Sequence, residues 1–310
     1  MLLPIVNAKD SKDMEFISYI AKDITCGVEV EFNPMDNMES NSIWASFKDK
    51  FYDYVDSLSP DNRRGAYWVI KTDCSFCNGY GGEVNSPFWR WEDASSMSDS
   101  LKAVLGWLKD NECSTARGAG IHVNISYDYK NNDSEYALHW NWRTIRNVVR
   151  LFVKYEDVLY RLASSGWQSH RGKDDNYKYC KPLTRYTKLR DYIFENASMD
   201  DFSRCHADKY WGLNLETWWS RNTMEFRLFN DSLDYRRIML YTKLSVYLVA
   251  TAIFYTLKRE DVLLEKNALP IGFLKLEDEE VQNVALSNFF NEFALKQEEF
   301  NMLIAESRWQ

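Results

Sequence analysis

The sequence predicts an α+β fold in which a mainly antiparallel sheet is flanked by helices. Segments with helical spacing and short segments with period-two alternation occur in mixed order along the 310 residues. They do not form the regular strand–helix–strand units that a doubly wound parallel sheet requires. With 45% hydrophobic and 27% charged residues, the composition is that of a globular protein large enough to bury a full core.

Four regions carry apolar residues at the spacing of one helix face. They are marked by Leu101, Val104, Leu105 and Leu108; by Leu138, Trp142, Ile145, Val149 and Phe152; by the segment from Ile238 through Leu257; and by Val281, Val284 and Leu286. The third region is apolar enough for a membrane span, but Lys243 and regularly spaced Thr, Ser and Tyr residues interrupt it. We therefore expect a buried core helix there.

The chain is expected to form one domain, because no internal repeat or low-complexity linker divides it. The prediction is a single domain over residues 1–310, with the functional motifs in 25–257 and a C-terminal helical extension in 258–310. The net charge of −8 excludes a general affinity of the whole protein for polyanions.

Cysteine use and the N-terminus indicate the cytoplasm. The six cysteines show no paired disulfide spacing, which is typical of a reducing compartment. Cys74 and Cys77 form a lone C-x-x-C without the second ligand pair that a zinc site needs, so free thiols are expected. The apolar run at the N-terminus is short and lacks a basic leader, unlike a signal peptide.

Five short segments share one design, with apolar side chains on one face of a strand and polar side chains on the other. The segments are Gly27–Phe32, Gly82–Asn85, Ile121–Ile125, Trp211–Leu215 and Met224–Leu228. Their polar faces carry Glu29, Glu31, Glu83, Asn85, His122, Asn124, Asn214, Glu225 and Arg227.

The chemistry of these polar faces indicates a metal site. A merely solvated sheet face favours Thr, Ser, Lys and Gln, whereas these five faces carry four glutamates and no lysine. If the strands adjoin, the carboxylates converge and repel one another unless a cation lies among them. Carboxylate oxygens with one imidazole suit Mg²⁺ or Mn²⁺ better than zinc. A plain solvated face is the alternative.

The same segments resemble the ordered motifs of the amidoligase family, which is similar in fold to glutamine synthetase and the glutamate–cysteine ligases. The resemblance extends from residue 27 to about residue 230. It is carried by Gly27-Val28-Glu29-Val30-Glu31-Phe32, Asp73-x-Ser75, Gly82-Glu83-Val84-x-Ser86-Pro87, Gly120-Ile121-His122-Val123-Asn124, Tyr179-Cys180-Lys181-Pro182, Tyr210-x-Gly212-x-Asn214 and Thr223-Met224-Glu225-Phe226-Arg227.

The resemblance implies a curved, half-barrel-like antiparallel sheet, of the type found in the catalytic domain of glutamine synthetase, that binds ATP, divalent ions and a carboxylate substrate on its concave face. It implies metal ligands at Glu29, Glu31, Glu83, His122 and Glu225, with His122 and Glu225 joining Glu29 around a second ion. Arg227 would face the phosphates of ATP.

The expected function is an ATP- and Mg²⁺-dependent ligase that joins a carboxylate to an amine through an acyl phosphate. Glu225 and Arg227 are the expected catalytic residues for the phosphoryl transfer. Asp73 is the candidate general base for the amine, with Ser75 as its hydrogen-bonding neighbour. The alternative is that this pair only caps a turn.

Asn124 departs from the family pattern, which often has a second histidine at this position. An amide can hydrogen-bond a phosphate, but it is neither a cation nor a ready proton carrier. Asn124 is therefore a candidate ATP contact together with His122, Asn214, Tyr210 and Arg227.

The partners are the least defined part of the prediction. An amino acid, a peptide or a modified nucleobase fits as carboxylate or amine, and the oligomeric state is open. Residues 161–190 have a local charge of +6, which suggests a phosphate, an acidic substrate or a nucleic acid as partner, or else a solvated loop. No membrane partner is expected. A metal-dependent hydrolase and a catalytically inactive binding module are the alternative functions.

Overall fold

The computed structural model describes residues 9–34, 41–58, 68–73, 81–116, 118–127, 142–163, 180–183, 209–264 and 279–306. The helices in these residues are α1 (Ser11–Lys22), α2 (Asn41–Leu58), α3 (Ala94–Asp110), α4 (Trp142–Lys154), α5 (Glu156–Ala163), α6 (Glu216–Arg221), α7 (Tyr235–Leu257), α8 (Glu279–Glu292) and α9 (Asn301–Glu306), with 3₁₀ turns at Trp91–Asp93 and Gln297–Phe300. The strands are β1 (Ile24–Phe32), β2 (Val69–Asp73), β3 (Gly81–Asn85), β4 (Trp89–Arg90), β5 (Gly120–Tyr127), β6 (Leu213–Asn214) and β7 (Thr223–Asn230).

All seven strands of the described residues form one open antiparallel sheet. Its order is β2-β3-β1-β5-β7-β6, and the short strand β4 pairs with the beginning of β1. The neighbours β3 and β5 on either side of β1 come from distant parts of the chain. The sheet therefore brings together side chains that are separated by up to about two hundred residues in sequence.

The apolar face of the sheet packs on helices. Val28, Val30 and Phe32 of β1 are at most 1% exposed, as the period-two alternation predicts. Helix α7 packs on β1 and β5 and is itself surrounded by α1, α3 and α4. The ring of Tyr241 in α7 stacks on Phe229 of β7 with ring centroids 4.4 Å apart.

Helix α7 is the apolar segment that was expected to be a core helix. Asp234 caps its N-terminus by accepting a hydrogen bond from the backbone N–H of Arg236 at 3.0 Å. The hydroxyls of Thr242, Ser245 and Thr256 donate to the carbonyls four residues earlier, which satisfies these buried polar groups inside the helix. Of its most apolar stretch, 72% is buried against the rest of the protein, as expected for a core helix.

Only glycine fits at position 82, because β1 and β3 approach each other closely there. Gly82 pairs with Phe32 across the two strands. A Cβ atom at Gly82 would lie 2.4 Å from Cζ of the fully buried Phe32 ring. Since Glu83 follows directly, this close approach helps to fix Glu83 against β1.

The C-terminal helices are part of the core. Phe289 of α8 and Phe293, the residue directly after α8, contact the ring of Tyr155 with centroid distances of 5.5 and 5.3 Å. Phe300 and Leu303, in the following turn and in α9, are at most 1% exposed. The segment expected to be an extension thus shares its apolar surface with α4 and α5.

The predicted antiparallel α+β fold is confirmed. The predicted helices correspond to α3, α4, α7 and α8, although Leu138 lies outside the described residues. Four predicted strands lie in β1, β3, β5 and β7, whereas the fifth is reduced to the two residues of β6. Strand β2 was not predicted, because Val69 and Lys71 do not present the acidic pattern of the others.

Candidate active site on the polar face of the sheet

The strand register aligns the polar side chains in three rows across the sheet. The first row is Lys71, Glu83 and Glu31; the second is Val69, Asn85, Glu29 and His122; the third is Gly27, Asn124, Glu225 and Asn214. Asp73 lies beyond the first row, two residues after Lys71 on the same face of β2. The acidic residues from four strands therefore share one face.

The first acidic group consists of Glu29, His122 and Glu225, whose potential ligand atoms lie within 4.8 Å of one another. Nδ1 of His122 lies 3.1 Å from Oε2 of Glu29 and 3.3 Å from Oε1 of Glu225. His122 is only 2% exposed. The imidazole is therefore held between two carboxylates in a largely buried position.

The second acidic group consists of Glu31, Asp73 and Glu83, again with potential ligand atoms within 4.8 Å. Glu31 and Glu83 pair directly across β1 and β3 and are both buried. Oε2 of Glu31 accepts a hydrogen bond from the backbone N–H of Gly120 at 2.5 Å. Nε2 of His122 lies 3.5 Å from Oε1 of Glu31, so the imidazole also adjoins this second group.

Neutral amides support the carboxylates of the first group. Nδ2 of Asn124 donates to Oε1 of Glu29 at 3.0 Å, and Nδ2 of Asn214 donates to Oε2 of Glu225 at 2.6 Å. Oδ1 of Asn214 in turn accepts from the backbone N–H of Glu216 at 2.9 Å. These contacts orient the carboxylates without adding a charge.

A β-bulge in β7 lies beside the first group. Ile121 pairs with Phe229 and Val123 with Phe226, so two residues of β7, Arg227 and Leu228, oppose His122. A bulge bends the strand and changes the direction of its side chains. Nη1 of Arg227 donates to Oε1 of Glu225, so the guanidinium lies at the edge of the acidic site.

The electrostatics of the site favour the binding of a cation. Burial raises the pKa of the Glu83 carboxyl to about 7, and the neighbouring Glu29 and Glu31 carboxylates add to the rise. The ion pair with Lys71 opposes this shift but does not cancel it. Glutamates paired directly across two strands are unfavourable unless a cation neutralises them.

The residues fit a pair of hard divalent cations. Five carboxylates and one imidazole in two adjacent groups offer the oxygen-rich donor set that Mg²⁺ and Mn²⁺ prefer. No cysteine lies in either group, which speaks against a thiolate zinc site among the described residues. The described cysteines Cys26, Cys113 and Cys180 are buried.

The sequence had predicted that Glu29, Glu31, Glu83, His122 and Glu225 come together, and these five residues do adjoin. Asp73 was expected to be a general base, and the structure groups it with Glu31 and Glu83. Tyr210, an expected ATP contact, accepts a hydrogen bond at its carbonyl from the backbone N–H of Lys181 and lies in neither acidic group. The chemical roles of all these residues stay predictions.

Several predicted features lie outside the described residues. They include Ser75, the C-x-x-C at Cys74 and Cys77, and most of the basic segment 161–190. Of the described residues in that segment, Lys181 forms a parallel bridge with Trp211, which lies just before β6. Trp211 is followed by Gly212, whose carbonyl accepts a hydrogen bond from the backbone N–H of Arg227 at 2.8 Å.

Lys71 is the residue of this face that the sequence interpretation missed. Its Nζ lies 2.8 Å from Oε1 of Glu83, and the two residues pair in register. The five predicted strand faces carry no lysine, but β2 adds Lys71 to the same face of the sheet. The available signal was the alternation of Lys71 and Asp73 around Thr72, which puts both on one strand face.

The fold and the site together define a protein with an open antiparallel sheet and a carboxylate-rich, metal-compatible polar face. The sequence pattern of a protein family described as "Putative amidoligase enzyme" matches residues 22–249. The chain belongs to this amidoligase family. A search of curated protein sequences finds no match.

Two solved structures align with most of this chain. A bifunctional glutathione synthetase from Pasteurella multocida aligns with 12% identity and a TM-score of 0.47, over 97% of this chain and 48% of that chain. A novel glutamine synthase homolog aligns with 11% identity and a TM-score of 0.42, over 94% of this chain and 71% of that chain. This chain thus spans about half the length of the glutathione synthetase.

Proposed function

We propose that this protein is an ATP- and Mg²⁺-dependent carboxylate–amine ligase that works through an acyl phosphate. The observation that carries the proposal is the pair of adjacent acidic groups, Glu29–His122–Glu225 and Glu31–Asp73–Glu83, on one face of the sheet. Membership of the amidoligase family supports the amide-forming class of reaction. Mn²⁺ is the alternative ion with the same ligand preference.

In this proposal each acidic group holds one divalent ion. The ions, when bound, neutralise negative charge on the phosphate oxygens of ATP. Asn124 and Asn214 keep the carboxylates of the first group in position through the hydrogen bonds described above. Carboxylates that are preset in this way need little reorganisation when the ion and the nucleotide bind.

The first chemical step activates the carboxylate substrate. A carboxylate oxygen attacks the γ-phosphorus of ATP, the bond to the bridging oxygen breaks, and ADP leaves with that electron pair. Arg227 is held at its Nη1 by Glu225 and contributes a planar cation beside the phosphates. The product is an acyl phosphate, whose phosphate is a far better leaving group than oxide.

The second step forms the amide. The nitrogen of the neutral amine attacks the acyl carbon, phosphate leaves with the former carboxylate oxygen, and a base receives the proton of the amine. Asp73 was our candidate for this base. Because its carboxylate lies with those of Glu31 and Glu83, a ligand role suits it better, and in this proposal Asp73 completes the second ion site.

The substrates are proposed only by class. An amino acid, a peptide or a modified nucleobase satisfies the reaction as donor or acceptor, and the cytoplasm supplies the ATP. The basic segment 161–190, with Lys181 beside the sheet, is proposed to contact a phosphate, an acidic acceptor or a nucleic acid.

The proposal is tested by nucleotide binding that depends on the metal. Isothermal titration with a non-hydrolysable ATP analogue should show binding in the presence of Mn²⁺ and much weaker binding without it. Glu29→Gln should abolish this metal-dependent binding, because it removes one charged ligand from the first group. Its melting temperature should be equal or higher, since carboxylate repulsion is relieved.

Glu15→Gln is the matched control, since Glu15 is an exposed glutamate on α1 and should leave binding unchanged. Binding of the analogue by Glu29→Gln with wild-type affinity would show that the ligand assignment is wrong. Absence of nucleotide binding in the wild type would favour the inactive binding module. Turnover without ATP would favour the hydrolase.

A further inference from the structure

Lys71 lies on the acidic face of the sheet, in the edge strand β2. It pairs in register with Glu83 of β3, and its Nζ lies 2.8 Å from Oε1 of that carboxylate. The two partners differ strongly in exposure, because the side chain of Lys71 is 50% exposed and that of Glu83 only 8%. The ammonium therefore reaches a buried carboxylate from the solvent side.

The surroundings of Lys71 are acidic throughout. Partial burial lowers the pKa of its ammonium, but the carboxylates of Glu83, Glu29 and Asp73 together outweigh this effect, so the pKa is raised. Lys71 thus carries its charge across the neutral range. Glu83 is at the same time a member of the second acidic group with Glu31 and Asp73.

An ammonium and a divalent ion cannot both lie against Glu83 without strong repulsion. Like charges a few ångströms apart repel even near the protein surface. The buried carboxylate has little room to move, whereas the half-exposed lysine has a flexible four-carbon stem. When an ion binds to the second group, it is therefore Lys71 that must withdraw.

We propose that Lys71 is an internal counter-ion that occupies Glu83 until a divalent ion replaces it, and that the displaced ammonium then binds a phosphate of the nucleotide. This inference rests on the proposed function, because it needs a metal at Glu83 and a nucleotide on the same face. The phosphate gives the displaced ammonium a new partner close to its first one. Lys71 then serves as a positioning residue for the nucleotide.

The exchange couples metal binding to nucleotide binding. Without nucleotide, the metal has to displace Lys71 from Glu83, which weakens its binding. With nucleotide, the phosphate accepts the ammonium and removes this obstacle. The nucleotide therefore tightens metal binding through Lys71, and by thermodynamic linkage the metal tightens nucleotide binding by the same factor.

The experiment compares Mn²⁺ binding by the full chain and by Lys71→Met, with and without a non-hydrolysable ATP analogue. Isothermal titration gives the Kd for Mn²⁺ in each case. In the absence of nucleotide, Lys71→Met should bind Mn²⁺ about tenfold more tightly than the wild type. The reason is that no ammonium then competes with the ion for the carboxylate of Glu83. The factor by which the analogue tightens Mn²⁺ binding should fall by a similar amount.

Two variants separate the specific contact from net charge. Lys102→Met removes an exposed lysine on α3 and should leave the Kd for Mn²⁺ close to that of the wild type. Lys71→Arg keeps the positive charge and should retain weak Mn²⁺ binding in the absence of nucleotide. If Lys71→Met folds poorly, Lys71→Gln provides the same comparison with a polar side chain.

The two proposals fail in different ways. A wild-type protein that binds no Mn²⁺ overturns the proposed function. Mn²⁺ binding that is equal in Lys71→Met and Lys102→Met, or weaker in Lys71→Met, overturns only the role of Lys71.

Thermal unfolding gives a second readout that does not depend on activity. Lys71→Met should melt below the wild type without metal, because the buried Glu83 then loses its cation. Saturating Mn²⁺ should abolish or reverse that difference. A difference in melting temperature that persists unchanged with Mn²⁺ would contradict the exchange.

Discussion

Asn124 stands where the family often has a histidine, and its contact explains what an amide does there. Nδ2 of Asn124 donates to Oε1 of Glu29, while His122 approaches Oε2 of the same carboxylate. Glu29 is thus fixed at both oxygens by side chains of one strand. An amide suits this position because it holds the carboxylate without competing as a cation.

We therefore expect Asn124→Leu to weaken metal binding without unfolding the protein. Removal of a residue that orients a ligand typically weakens metal affinity about 10- to 100-fold. Isothermal titration with Mn²⁺ measures this effect. Ser126→Ala, two residues further on the same face of β5, is the control and should bind Mn²⁺ like the wild type. Unchanged affinity in Asn124→Leu would show that Asn124 has another task.

At the scale of single residues, the sequence pattern reveals the direction of side chains but not the irregularities of strand pairing. The alternation of Glu29 and Glu31 with valine predicted their common strand face correctly, because side-chain direction follows from backbone geometry alone. The bulge that directs Arg227 was not predictable. It depends on the pairing of β7 with β5, which adjacent residues do not encode.

At the scale of elements, one buried carboxylate connects the ends of several helices. Glu292 at the end of α8 is 2% exposed and lies 2.7 Å from Nζ of Lys9 and 2.8 Å from Nζ of Lys154. The hydroxyls of Tyr155 and Tyr255 donate to the same carboxylate at 3.1 and 2.6 Å. This cluster joins α8 to α4, to α7 and to the segment before α1.

The pH dependence of stability follows from the pKa of Glu292. Burial alone would raise it, but the ammonium groups of Lys9 and Lys154 outweigh burial and lower the pKa to about 2. The folded protein therefore binds this proton less readily than the unfolded chain. The stabilisation is complete above about pH 4.5 and is lost as the pH falls through 2, by about 3 kcal/mol in total.

Glu292→Gln should consequently lower the free energy of unfolding at pH 7, and the deficit relative to the wild type should shrink between pH 4.5 and 2. Urea unfolding at several pH values measures both quantities. Glu298→Gln, an exposed neighbour in the following 3₁₀ turn, should show neither effect. A deficit that is independent of pH would contradict a charged Glu292 in the folded protein.

At the scale of the whole molecule, the C-terminal helices decide whether the chain is one domain. Phe289 and Phe293 pack on Tyr155, and Glu292 joins the lysine cluster. The single domain over residues 1–310 stays a prediction. The described residues of the segment 258–310 contribute more to the core than the expected C-terminal extension implied.

A chain that ends at Leu264 tests this prediction, because it lacks α8, the 3₁₀ turn and α9. We expect it to lose cooperative thermal unfolding, since the apolar faces of α4 and α5 become exposed to water. Circular dichroism against temperature and Mn²⁺ titration are the measurements. A cooperative melt near the wild-type temperature, with Mn²⁺ binding intact, would instead show an independent core within residues 1–264.

The sequence by itself determined the strand faces, the core helices and the type of chemistry on the polar face. These features are local, because periodicity and side-chain type are read within a few neighbouring residues. The tertiary structure alone decided which strands adjoin, and so it grouped Asp73 with Glu31 and Glu83, set Lys71 against Glu83 and bent β7 at Arg227. Such contacts depend on register between distant segments, where a shift of one residue turns every side chain to the other face.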